Sequence, residues 1–331
     1  MGKSSGWSRA LPWVLGAAAA LAGVVFALLW RPGAIIPIER AFPIDADHLL
    51  VHGTSGDDTQ TNRWSSLGVL GTDGVIRSIT LEEGPLTLLG VTDEVVWLDH
   101  RERSIHARRL PSLQLVPGLS EAVANHGALS HGHEMAGFDH DRIFLSGADR
   151  KEYALTLDGT IEPAGEYQAR YRGVTIRDVP RPDPPPDGET MRRMRTLLKD
   201  HPELTKATMV GPGPGAAPLW LSDPPGFLAR SFDYHKGGQT QSLHRLTEDG
   251  TVVWSISVEA MMDALELEGQ LITIVWVGYL GGTLAAVVQL SESDVGESSD
   301  DRTSSHTQRL VDIDVAAGAV SNARMITREE A

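Results

Sequence analysis

The chain contains no cysteine. That excludes disulfides, thiolate nucleophiles, Cys-ligated zinc, Cys-ligated iron–sulfur clusters and a lipid-modified N-terminal cysteine. Positive charge is also scarce: 29 Lys and Arg stand against 44 Asp and Glu, a net charge of −15. Phosphate binding needs clustered Lys and Arg, so this balance argues against nucleic acid as a partner. No Asn-x-Ser/Thr sequon occurs, which withholds support from a eukaryotic secretory route. What the chain has in quantity is glycine and proline, 34 and 19 in 331 residues, a composition that favours many turns over long helices.

One long apolar run breaks the acidic pattern. Residues 11–30, LPWVLGAAAALAGVVFALLW, carry no charge. At about 1.5 Å per residue a helix of this length reaches roughly 30 Å, the thickness of the hydrocarbon core of a bilayer. Trp7, Trp13 and Trp30 stand near its ends, where indole rings favour the interface, and Lys3 and Arg9 precede it without an acid. The run is longer than a signal-peptide core, and RPGAIIPIER after it offers no good small-x-small cleavage site. The expectation is residues 1–10 as a cytoplasmic tail, 11–30 as an uncleaved anchor and 31–46 as a linker. Residues 47–327 then form an ectodomain outside the cytoplasm. An Ala-rich anchor with more Arg than Lys suggests a bacterial inner-membrane protein facing the periplasm.

The ectodomain reads as short Val/Ile/Leu-rich strands separated by turns. SSLGVLGTDGVIRSITL (65–81) is two strands around Asp73-Gly74, a strong hairpin signal. KEYALTLDGTIEPAG and SLHRLTEDGTVVWSISV repeat it at Asp158-Gly159 and Asp249-Gly250, with weaker forms at Ser112 and Gly318. Successive turns lie 38, 47, 91 and 68 residues apart. The first two spacings suit a propeller blade of about 40–50 residues, and 91 is close to two blades. EDGTVVWSISV resembles the turn and strand of blades in the PQQ-like and WD40-like β-propeller group. The resemblance implies an all-β, propeller-like ectodomain; a β-sandwich or two small β domains is the alternative. Quinone-dependent dehydrogenases of that group carry larger propellers, metal-binding acids and usually a vicinal cysteine pair, from all of which this chain departs, so their activity is not carried over and no cofactor is implied. Non-enzymatic relatives with one anchor and a propeller serve as scaffolds in envelope complexes.

An insertion, 181–215, interrupts the strands. RPDPPPDG is a stiff polyproline-like stretch leading into ETMRRMRTLLKDHPEL, a helix with Met191, Met194 and Leu198 on one face, Asp187 as N-cap and Asp200-His201-Pro202 as its stop. Arg192, Arg193, Arg195 and Lys199 make it the most basic part of the ectodomain and the candidate docking surface for anionic headgroups or an acidic partner. A second short helix is expected in VEAMMDALELEG, stopped at Gly269. SESDVGESSDDRTSSHT (291–307) reads as a long acidic hairpin loop without the order of an EF-hand.

HGALSHGHEMAGFDHDR (126–142) is the one stretch suggesting chemistry. His131-x-His133 presents two imidazoles to one side if extended, and Glu134, Asp139, His140 or Asp141 would complete a metal set with an open position. It matches no zinc signature, and its glycines loosen it, so a polar loop is the plainer reading. GPGPGA lacks the N–H groups of a phosphate cradle, Asp312 and Asp314 of RLVDIDV point to the solvent side of a strand, and His52, His106 and His244 cap or fill strand surfaces. The functional expectation is a membrane-anchored binding or scaffold module whose partners are other envelope proteins; the rival is a metal-dependent hydrolase or other enzyme using the His-rich loop.

Overall fold

The computed structural model describes residues 37–329 apart from 56–63, 85, 93, 101–103, 140, 166–186, 201–203, 205–207, 211–218, 223–224, 236–237, 267–269 and 293–305. The expected anchor, 11–30, and the acidic stretch 293–305 lie outside the described residues. Among the described residues no helix is long and apolar enough to cross a membrane.

Among the described residues the second compact unit holds five sheets, four of them formed wholly from consecutive strands. Sheet 1 is the antiparallel series β1 (Arg40–Pro43), β2 (His48–Ser55), β3 (Trp64–Gly71), β4 (Val75–Glu83). Sheet 2 follows as β5 (Leu86–Val91), β6 (Val95–His100), β7 (Ser104–Arg109), β8 (Gln114–Leu115), and sheet 3 as β9 (His133–Phe138), β10 (Arg142–Gly147), β11 (Glu152–Thr156), β12 (Ile161–Pro163). In sheet 4, β13 (Thr208–Met209) and β14 (Trp220–Ser222) both pair with β15 (Pro225–His235), followed by β16 (Gly238–Thr247) and β17 (Val252–Ser257). Sheet 5 is β18 (Gln270–Leu280), β19 (Thr283–Glu292), β20 (His306–Ile313), β21 (Val320–Met325). The chain then returns to sheet 1, where β22 (Thr327–Arg328) pairs in parallel with β4. β1 falls inside the stretch read as linker: Phe42 and Ala41 are buried, and Pro43, which cannot donate to a ladder, closes an edge strand.

The sheets bury both faces. In β6, Val95 and Trp97 join a cluster with Phe138, Ile143 and Leu145 of sheet 3, whereas Val96 and Leu98 join Leu50, Leu67 and Val69 of sheet 1. This is why VVWL is apolar without alternation. Sheets 4 and 5 share a third cluster, in which Leu228, Leu243 and Ile256 meet Ile274, Ala286 and Val311. Burying one such side chain fully is worth roughly 1.5–3 kcal/mol. Sheet 5 is tied back to the start of the chain: the Gln308 carboxamide accepts from the Ile38 N–H at 2.9 Å and donates to the Ile38 carbonyl at 3.0 Å, standing in for a strand. At the same junction the Gly281 N–H donates to the Ala46 carbonyl at 2.7 Å.

Among the described residues there are three helices, two of them packed between neighbouring sheets and one on the face of sheet 4. α1 (Leu119–Asn125), a short element without a sequence periodicity to announce it, buries Leu119 and Val123 in the cluster of sheets 2 and 3. α2 (Gly188–Asp200) covers the face of sheet 4 turned away from sheet 5. α3 (Val258–Ala264) begins at Ser257, whose hydroxyl accepts from the Ala260 N–H, and buries Met261 with sheets 4 and 5. The expected stop at Gly269 lies outside the described residues.

The five turns read from the sequence fall at one equivalent place, the hairpin before the last antiparallel strand of each sheet. Gly74, Gly159, Gly250 and Gly318 have φ of 81°, 85°, 88° and 68°, and Leu113 beside Ser112 has φ 55°. In Thr-x-Asp-Gly-Thr the Asp158 and Asp249 carboxylates accept from the N–H of Thr160 and Thr251, fixing the turn. The gap of 91 residues is therefore not two repeats: it is one sheet lengthened by α2 and its flanking chain.

Candidate functional site

α2 is positioned at its start and along its buried side. At its start the Asp187 carboxylate accepts from the Thr190 N–H at 2.7 Å, an N-cap whose hydrogen bond holds the carboxyl below its ordinary range. Met194 and Leu198 are buried against Phe227, Ala229 and Leu246, with Met191 packed beside them, as the helical spacing requires. Leu197 packs on Gly250, the turn glycine of sheet 4. Arg193 reaches Glu248 at 3.3 Å, so it serves the docking of the helix onto that turn. Arg192, Arg195 and Lys199 are exposed, and Arg192 Nε donates to the Gly188 carbonyl at 3.2 Å. Of the four cations read as docking candidates, Arg192, Arg195 and Lys199 lie on one row of the helix and Arg193 lies off it.

The histidine stretch is split by the fold. His126 caps α1, and the carbonyl of the same residue accepts from the N–H groups of Leu129 and Ser130 at 3.0 and 2.9 Å. Its ring meets the Tyr153 ring edge-on at 4.6 Å, while the Tyr153 hydroxyl donates to Asp149 at 2.7 Å. His131 is an exposed turn residue, whereas His133 opens β9 with Nδ1 at 3.3 Å from the Leu129 carbonyl. The two rings are therefore not alternate residues of one strand. Glu134 is exposed opposite Ser146, and His140 lies outside the described residues. Asp139 and Asp141 both face Arg142, at 3.1 and 3.5 Å. Among the described residues no three His, Asp or Glu side chains are grouped to hold a metal ion.

Other histidines do more than fill strands. His244 is buried in the middle of sheet 4 and bridges Ser231 at 2.7 Å and Ser255 at 2.8 Å, one ring nitrogen donating and the other accepting while the imidazole is neutral. His52 is 6% exposed at the seam of sheets 1 and 2, with neither ring nitrogen in hydrogen-bond geometry among the described residues. Burial pushes its pKa below the ordinary value, against the Glu39 carboxylate and the Leu86 backbone and with Arg40. Asp312, expected to face solvent, is instead clamped by the Arg324 guanidinium with 14% of its side chain exposed. Its strand alternates as expected, with Val311 and Ile313 inward, but β21 supplies a cation that covers the outer side.

No family model matches the chain, and no curated protein matches it. Solved structures similar to it at low level include two that cover most of the chain. Hydrazine synthase of Kuenenia stuttgartiensis is 11% identical over 88% of this chain and 68% of that one, with a TM-score of 0.23. The N-terminal domain of Nup159 is 9% identical over 88% and 65%, with a TM-score of 0.21. Neither likeness carries an argument about the chemistry of this chain.

Proposed function

We propose that the chain is a membrane-tethered binding module of the bacterial envelope. Its five sheets are the blades of a five-bladed propeller whose ring closes between sheets 1 and 5, and its ectodomain faces the periplasm. The apolar run 11–30 supplies the tether, and the ring supplies a rigid body on which loops and inserted elements are displayed. The observation that carries the reading is α2, an insertion locked onto sheet 4 by Met194, Leu198 and the Arg193–Glu248 pair, with Arg192, Arg195 and Lys199 left outward. A docked helix with a segregated charged face is a recognition element. The hydrolase reading is less well supported, since the histidine stretch is divided between a helix cap, an exposed turn and a strand.

The tether is tested by fractionation. Full-length protein is expected to sediment with membranes through an alkaline carbonate wash, and a variant lacking residues 1–36 to be released. A full-length chain stripped by carbonate contradicts the reading.

A further inference from the structure

The outward face of α2 is ordered by charge. Arg192, Arg195 and Lys199 follow one another at i, i+3 and i+7, so they form a single stripe roughly 10 Å long. It is rotated by one residue, about 100°, from the buried stripe Met191, Met194, Leu198. The acids Glu189 and Asp200 lie on a different row, with Arg193 and Thr196. The exposed positions of the helix are Glu189, Arg192, Arg193, Arg195, Thr196, Lys199 and Asp200, with no large apolar or aromatic side chain among them after Gly188. Protein interfaces are anchored by buried aromatic and apolar groups as well as Arg, whereas a plane of anionic headgroups asks only for accessible cations.

We propose that this stripe docks on the anionic surface of the bilayer to which residues 11–30 tether the chain. The inference rests on the tethered reading above. Six residues separate Trp30 from Pro37, a reach of roughly 20 Å when extended, so the tether itself supplies a high effective concentration of headgroups. With a net charge of −15, most of the molecule is repelled by an anionic plane, and a segregated basic stripe selects the side that approaches. Three cations near such a surface favour it over a neutral one by roughly a hundredfold.

The absence of cysteine supplies the probe. A Thr196→Cys variant of the full chain carries one thiol beside the stripe, and its rate of maleimide labelling is measured after reconstitution into phosphatidylcholine vesicles with and without one-fifth phosphatidylglycerol. Labelling is expected to slow at least tenfold in the anionic vesicles. Half-molar salt, or the added substitutions Arg192→Glu, Arg195→Glu and Lys199→Glu, should restore it. Equal rates in both vesicles overturn the proposal, as does protection that appears only when envelope proteins are added, which assigns the stripe to a protein partner. A chain that fails to float with either vesicle contradicts the tethered reading itself; one that floats with both and labels equally contradicts only the docking.

Discussion

The indole Nε1 of Trp254 donates to the carbonyl of Val315 at 2.8 Å, bringing the last strand of sheet 4 onto the last hairpin of sheet 5. The fully buried Arg245 donates to the same carbonyl. The indole lies on Gly318, where an added Cβ would stand 2.7 Å from the ring; at Gly74 and Gly250 it would stand 3.2 Å from the Met325 carbonyl and 3.3 Å from Leu197, while at Gly159 it would meet Ala122 only at 3.8 Å, an ordinary contact. Gly318 therefore answers two demands, a positive φ and a neighbour at close range, whereas Gly159 answers the first alone.

Gly318→Val should lower stability by roughly 3 kcal/mol or more, since it adds a clash with Trp254 to a left-handed backbone. Gly118→Ala is the control, with φ 83° and nothing within 4 Å of an added Cβ, and should cost only about 1–2 kcal/mol. Urea unfolding midpoints of the two variants measure the difference.

His52 makes the seam of sheets 1 and 2 sensitive to acid. Its folded pKa is lowered by burial, so its contribution is fully present above the unfolded value of about 6.5 and is lost as pH falls from there toward the folded value. The pH dependence of the urea midpoint between 7.5 and 5 should therefore be shallower in His52→Leu than in the wild type. Parallel curves would show that the imidazole escapes burial when it charges.

Asp73 acts with the same sign in a lower pH window. The hydrogen bond from Arg77 holds its carboxyl down to about 2, so its contribution is present above the unfolded value of about 3.9 and lost as pH falls through 2. Asp73→Asn should be less stable than wild type at pH 7 and should converge with it in strong acid. Because the pair is exposed, the gap should also narrow in high salt.

The two sides of α2 should separate by stability. Met194 is fully buried, and Met194→Ala should cost about 2–5 kcal/mol when the helix unfolds together with sheet 4. Arg195→Ala, at an exposed position, should change stability by less than about 0.5 kcal/mol. Circular dichroism during urea titration follows both, and a Met194→Ala variant as stable as wild type would mean that the helix is not held by sheet 4.

The hairpins were legible because Asp-Gly fixes a backbone sign that few other pairs tolerate, and α2 because its apolar spacing and the Asp187 cap agree; its expected stop at His201-Pro202 lies outside the described residues. α1 was not legible: seven residues carry too little periodicity, and its place is set by Leu119 and Val123 meeting sheets 2 and 3. The junction of sheets 1 and 5 was hidden for another reason, since Ile38 and Gln308 are 270 residues apart and neither is unusual locally. In the histidine stretch, composition showed the ring nitrogens but not that a strand begins at His133, leaving His131 in the turn before it.

The account stands most directly on which side of the membrane the sheets lie. Full-length protein in spheroplasts, treated with protease added from outside, measures this. The account predicts loss of the ectodomain while cytoplasmic markers survive; an ectodomain protected until the inner membrane is lysed would contradict it.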